Sequence, residues 1–90
     1  MKQPDIISRN NTILIKVLYG GTYKETALAY GLSTPRIRQI VMKTIYRLRK
    51  CITIPDTGKY LDSFGKIPVY DLELLRSKRK EILSTITAVY

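Results

Sequence analysis

A break of three residues, Gly31-Leu32-Ser33, separates two helical patterns, and it constrains the fold of this 90-residue chain more tightly than any other feature. Before the break, Thr22 and Glu25 form the Thr-x-x-Glu pattern of a capping box, which predicts a short helix from Tyr23 to about Tyr30. The glycine can take the left-handed conformation that ends a helix, and the serine can cap the next one. Two helices joined by so short a turn predict a helix-turn-helix.

Further helices are predicted before this turn and after it. One apolar stripe predicts a first helix from about Asn10 to Tyr19: Ile13, Leu14, Val17 and Leu18. Gly20-Gly21 ends that helix. The third helix is predicted from Thr34 to about Lys50, with Pro35 tolerated in its first turn. Its apolar positions fall on one face: Ile37, Ile40, Val41, Thr44, Ile45 and Leu48.

The second half of the chain is less regular. Prolines and glycines punctuate residues 51–70, which we expect to form an irregular connector or short strands. Asp71 is a candidate N-cap for a C-terminal amphipathic helix over 71–90, with this stripe: Leu72, Leu75, Ile82, Ile86 and Val89. We therefore predict a mainly α fold with a three-helix unit, the helix-turn-helix unit, in 1–50. The helix at 71–90 is predicted either to pack on that core or to mediate dimerisation.

Positive charge is concentrated in the third helix. The chain has 16 Lys and Arg against 7 Asp and Glu, a formal net charge of +9. Residues 34–50 contain no acid but six cations: Arg36, Arg38, Lys43, Arg47, Arg49 and Lys50. Such a helix suits the phosphates that flank the major groove of DNA, although a solvated face can have the same composition.

Several chemistries are excluded by missing residue types. The sequence has no His, so Ser-His-Asp and Cys-His catalysis cannot be built, and its single cysteine, Cys51, cannot form an internal disulfide. We expect Cys51 to be a small buried hydrophobe. The acids are scattered without paired spacing, so we predict no enzyme, no cofactor and no metal site. Cations interrupt every long apolar stretch and no secretory signal is evident, which predicts no membrane association and a cytoplasmic location.

The basic helix also carries a family resemblance. Arg36-Ile-Arg-Gln-Ile40, followed by Lys43 and by Arg47-Leu-Arg49, is similar to region four of bacterial primary sigma factors, and the likeness extends over residues 21–49. In that family the region is a helix-turn-helix that reads the upstream promoter element and packs against the polymerase flap. The resemblance therefore implies double-stranded DNA and RNA polymerase as partners, in a bacterial or phage-infected cell.

The resemblance and the residue chemistry together define a candidate interface. The family pattern implies that Gln39 reads bases, that Arg36 and Lys43 contact the DNA backbone, and that Arg38 can also face activator proteins. Thr34 and Pro35 stand where the family usually has a base-reading arginine and glutamate. The predicted base-reading residues are Thr34, Pro35, Arg38 and Gln39. The predicted backbone contacts are Thr22, Tyr23, Lys24, Arg36, Lys43, Tyr46, Arg47 and Lys50.

The leading hypothesis is a small transcriptional regulator of the kind that phages and mobile elements encode, because 90 residues leave no room for the promoter-melting domain of a complete sigma factor. One alternative is a DNA-packaging protein similar to a phage small terminase subunit. Another is a polymerase-binding regulator without DNA reading, which Pro35 favours.

Seven tyrosines could indicate stacking on single-stranded nucleic acid, but we expect Tyr19, Tyr23 and Tyr30 to seal the core.

Overall fold

The computed structural model describes residues 4–61 and 67–89, with side chains described for 9–61 and 67–86. The described chain is mainly helical. The helices are α1 (Pro4–Leu18), α2 (Tyr23–Tyr30), α3 (Thr34–Arg47), α4 (Leu72–Ser77) and α5 (Arg79–Val89), and a 3-10 turn (Leu48–Lys50) extends α3. The predicted bounds of α2 are confirmed, as is the start of α3.

Helix α1 begins six residues earlier than the sequence pattern predicts. The stripe on which that prediction rests begins at Ile13, although Ile6 and Ile7, seven residues before Ile13 and Leu14, continue the same period into the first turns of the helix. Pro4 occupies the first helical position, where its fixed φ suits a helix and its missing N–H is not needed. The longer helix includes Arg9, which the sequence analysis did not consider as a functional residue.

The core lies where α1, α2 and α3 meet and extends to the second half of the chain. The stripe of α1 and all six predicted apolar positions of the third helix are buried. Leu75, Ile82 and Ile86 belong to the same hydrophobic cluster, each no more than 7% exposed. These three side chains, with the partly buried Leu72, are therefore used inside the chain's own core, and the side chain of Val89 lies outside the described residues.

The predicted single C-terminal helix is instead two helices that break at Lys78, whose backbone is at φ −102° and ψ 18°. The Ser77 hydroxyl donates to the Leu74 carbonyl at 2.7 Å and so competes with the helical backbone bonds. Like charges three and four residues apart in the basic run of 76–80 also disfavour a continuous helix.

The connector contains an antiparallel pairing, although the described residues form no regular strand. Leu61 donates its amide to Ile67, and Val69 donates to Lys59, both at 2.9 Å, around the bridge between Tyr60 and Pro68. A proline is tolerated at this bridge because its nitrogen points away from the partner segment. This paired segment, residues 57–61 and 67–69, is called the hairpin below.

Two side chains differ from expectation. Cys51 is exposed rather than buried, because the 3-10 turn directs Leu48 and Ile52 toward the core on either side of it. Tyr23 and Tyr30 pack against the core as predicted, but Tyr19 is 63% exposed. The ring of Tyr19 lies instead under the Arg79 guanidinium, 4.7 Å from the ring centroid.

Candidate nucleic-acid interface

The turn between α2 and α3 is fixed by its backbone. Gly31 takes the left-handed conformation at φ 65° and ψ 32°. The amides of Gly31 and Leu32 donate to the carbonyls of Leu28 and Ala27, at 3.4 and 3.0 Å, which closes the end of α2 as a Schellman motif. The Ser33 hydroxyl then accepts a hydrogen bond from the Arg36 amide, in the first turn of α3, at 3.2 Å. Helix α3 therefore leaves the turn in one defined direction.

One face of α3 is fixed to the core. Six of its residues are no more than 5% exposed: Ile37, Ile40, Val41, Met42, Thr44 and Ile45. Met42 lies outside the predicted apolar face and is buried because the connector covers it, with the Tyr70 amide 3.2 Å from its sulfur. Because this face is fully packed, the opposite face of α3 is held in a set orientation toward solvent.

The outward face of α3 brings together four of the predicted site residues. Arg36, Lys43 and Arg47 are exposed, and Gln39 is half-buried among them. The Nη1 of Arg36 donates a hydrogen bond to Oε1 of Gln39. Gln39 Oε1 keeps its second lone pair, and no bond from its Nε2 to another described residue is present. A glutamine amide on an outward face is thus oriented by a neighbouring cation.

The start of α3 places Thr34, Pro35 and Arg38 in solvent. Burial of the Tyr23 ring raises the pKa of its hydroxyl above the ordinary value of 10.0, and the charges of Arg38 and Arg76 oppose that rise. Tyr23 packs against the core. Its position is therefore mainly structural, whereas Arg38 remains exposed.

The start of α2 is closed by a capping box. The Thr22 hydroxyl accepts from the Glu25 amide at 3.0 Å, and the Thr22 amide and hydroxyl both donate to Glu25 Oε1 at 3.1 Å. These bonds hold the pKa of Glu25 below its ordinary value of 4.5. The Glu25 carboxylate thus occupies the amide and the hydroxyl of Thr22, and Tyr23 is half-buried, so of the three predicted contacts here only Lys24 has an exposed side chain without such a partner.

At the other end of α3, Tyr46 is half-buried and engaged by Arg49. The guanidinium of Arg49 lies 4.0 Å above the Tyr46 ring centroid and donates to the Tyr46 carbonyl at 2.9 Å. Lys50 is exposed in the 3-10 turn. Tyr46 therefore offers its ring edge and hydroxyl, rather than its face, to a ligand.

The hairpin adds a residue that the sequence analysis missed. Leu61 lines a cavity of about 400 Å³ together with the start of α3, including Pro35, Arg38 and Gln39. Leu61 lies 22 residues after Gln39 in the sequence, and residues 51–60 before it form no helix, so no local pattern could have placed it there. The hairpin borders one edge of the outward face of α3.

Two C-terminal cations have a structural role. Arg76 donates through Nε to the Val17 carbonyl at 3.2 Å, and Arg79 donates through Nη1 to the Leu18 carbonyl at 3.0 Å. These carbonyls lie at the end of α1, beyond its last regular helical bonds, and the Val17 carbonyl also accepts the Gly20 amide at 3.1 Å. Part of the net positive charge thus caps α1 and does not face a ligand.

Among the side chains that the structure describes, no group of three or more His, Cys, Asp or Glu is placed to hold a metal ion. None of the helices within 4–61 and 67–89 combines the length and the apolar character needed to cross a membrane. Comparisons with protein-family models, with curated proteins and with solved structures find no match to this chain.

Proposed function

We propose that this chain is a helix-turn-helix transcriptional regulator that binds duplex DNA sequence-specifically, with α3 in the major groove. The observation that carries the proposal is the outward face of α3, where Gln39 lies among Arg36, Lys43 and Arg47 with no acidic residue on the helix. A glutamine amide can pair with both N6 and N7 of adenine, and cations beside it suit the flanking phosphates. The glutamine among the cations is what distinguishes a DNA-reading surface from a surface that is only positively charged.

The packing of α3 supports the same role. Base reading requires that a side chain reach a base edge while the helix stays in a fixed register on the backbone. The buried face of α3 and the closed turn before it supply that rigidity. The resemblance to region four of sigma factors points the same way, because that region reads promoter DNA with the second helix of such a motif.

The test is selection of binding sites from a random duplex library at about 150 mM salt, where nonspecific binding by cations is weakened. The parent protein is expected to enrich a motif that contains adenine. Gln39→Ala is expected to lose the preference at that adenine while keeping its affinity for unrelated duplexes. Lys43→Ala is expected to weaken binding to every sequence alike, and Lys80→Ala serves as the charge-matched control. Absence of any enriched motif would refute sequence-specific regulation.

A second candidate is a regulator that binds RNA polymerase without reading DNA. It is favoured by Leu28, an apolar side chain on α2 that is 77% exposed, next to the exposed Ala29. An exposed leucine on a short helix is a suitable contact for a protein surface. If this candidate is correct, core polymerase retains the protein, Leu28→Lys abolishes retention, and the duplex library shows no enrichment.

A further inference from the structure

A cleft between α1 and α3 lies at the edge of the outward face opposite the hairpin. Its walls carry Arg9, Asn10, Arg36, Lys43 and Arg47. Ile40 and Thr44 form its floor, and both are buried. The volume of the cleft is about 140 Å³, roughly that of five water molecules, which suits one tetrahedral oxyanion with its nearest waters.

The charge of the cleft is uncompensated among the described residues. Four of its wall residues are cations and none of the described lining residues is an acid. The ion pair that the described side chains form, between Lys78 and Glu81, lies in the C-terminal helices. Four cations held together without a carboxylate repel one another, and an anion placed between them removes that repulsion.

The donors of the cleft are arranged for an acceptor. The half-buried Arg9 donates through Nε and Nη2 to Oδ1 of Asn10, at 3.3 and 3.1 Å. These bonds fix the guanidinium and leave its other N–H groups for a ligand. The hydroxyl of Thr44 donates to the Ile40 carbonyl at 2.7 Å, so its proton is already used. A ligand in the cleft is therefore met by positively charged donors, which is the chemistry that binds phosphate.

We infer that this cleft is a phosphate site and that α1, through Arg9, holds one backbone phosphate of the duplex that α3 reads. The identity of the phosphate as a DNA phosphodiester rests on the proposed function. It is favoured because Arg36 lines this cleft and also bonds Gln39, which makes the cleft continuous with the base-reading face. The flank of α3 that lies beside Arg9 of α1 would thus follow one strand beside the major groove.

The test compares Arg9→Gln with Lys80→Gln. Both changes remove one charge and keep most of the side-chain stem, but Lys80 lines a different surface beside Cys51 and Ser84. Arg9→Gln is expected to lower the slope of log affinity against log salt concentration by about 0.9. It is also expected to weaken binding to the selected duplex and to a scrambled duplex by the same factor. Lys80→Gln is expected to keep the parent slope. Thermal melting of each variant establishes that it is folded.

Two results separate this inference from the proposed function. If Lys43→Ala lowers the slope and Arg9→Gln does not, the inference is overturned while DNA binding stands. If no variant or parent binds any duplex, the proposed function fails, and the cleft is tested by melting in inorganic phosphate against chloride at equal ionic strength. If phosphate stabilises the parent and Lys80→Gln but not Arg9→Gln, the cleft binds an anion even though the protein does not bind DNA. Equal stabilisation of all three proteins would overturn it.

Discussion

Replacing Arg36 with lysine separates the charge of this residue from its hydrogen bond to Gln39. The Nη1 of Arg36 donates to Oε1 of Gln39, which orients the amide with Nε2 directed away from that bond. Lysine keeps the positive charge but lacks the planar fork that holds this geometry. We therefore expect Arg36→Lys to reduce the preference for the correct base while leaving the electrostatic part of binding intact.

The magnitude follows from what the hydrogen bond does to the glutamine. A bidentate glutamine–adenine pair contributes about 1–3 kcal/mol of discrimination. Ordering a free glutamine side chain on binding costs up to about 2 kcal/mol of rotamer entropy, which reduces this discrimination. The hydrogen bond from Arg36 orders Gln39 before DNA binds and so lowers that cost. Loss of the restraint is thus expected to lower discrimination by about 1 kcal/mol, which is roughly a fivefold fall in the affinity ratio.

The assay is fluorescence anisotropy with the selected duplex and with the same duplex altered at its adenine, each at several salt concentrations. Arg36→Lys is expected to lower the affinity ratio about fivefold with an unchanged salt slope. Arg36→Ala is expected to lower both the ratio and the slope. In the Gln39→Ala background, Arg36→Lys is expected to have no further effect on the ratio.

An Arg36→Lys protein that keeps the parent ratio, when Gln39→Ala has lost it, would refute the orienting role. A further fall of the ratio in the double variant would refute it as well, because Arg36 would then read bases independently of Gln39.

Three further predictions concern stability. Arg79→Ala removes a charged donor from the Leu18 carbonyl and the cation over Tyr19, so urea unfolding should show a loss of about 1–2 kcal/mol; a loss no larger than that of Lys80→Ala would contradict the capping role. Gly31→Ala places a Cβ at φ 65°, where no neighbouring atom lies within 4 Å, so the cost is backbone strain of about 1 kcal/mol rather than a clash; an unchanged midpoint in thermal melting would contradict this. The lowered pKa of Glu25 means that its contribution to stability is complete above 4.5 and is lost as pH falls through the lower pKa of the folded state. In Glu25→Gln, the free energy of unfolding should fall less steeply as pH is lowered below 4.5. A fall as steep as that of the parent would show that the capping box does not cause this pH dependence.

The sequence predicted the segments whose ends carry strong local signals. Thr22 with Glu25, Gly31 and Ser33 each use chemistry that acts within four residues, and all of them cap the helices that they were expected to cap. The six apolar positions predicted for the third helix are all buried, and they follow from the period of the helix alone. Local rules were sufficient here because each interaction spans a single turn.

The features that the sequence did not predict depend on distant parts of the chain. Leu61 lies beside Gln39 because the hairpin folds toward α3, and the buried Met42 has the Tyr70 amide against its sulfur, 28 residues away in the chain. Arg9 was missed for a different reason, since the predicted stripe of α1 left out Ile6 and Ile7, which continue its period, and the helix was expected to begin at about Asn10. The candidate site therefore followed from one helix, whereas both of its flanks required the tertiary structure.

The caps on α1 also determine the order in which the molecule opens. The bonds from Arg76 and Arg79 to the end of α1 join residues 55 to 61 positions apart in the chain, whereas α2 and α3 are neighbours across three residues. Closing so long a loop is entropically costly and slow compared with forming a local helix pair. The last turn of α1 should therefore exchange its amide hydrogens together with α4 and α5, as one cooperative unit, while the amides of α3 stay protected. In such a partly open state the helix that faces solvent with Gln39 would persist after the end of α1 had loosened.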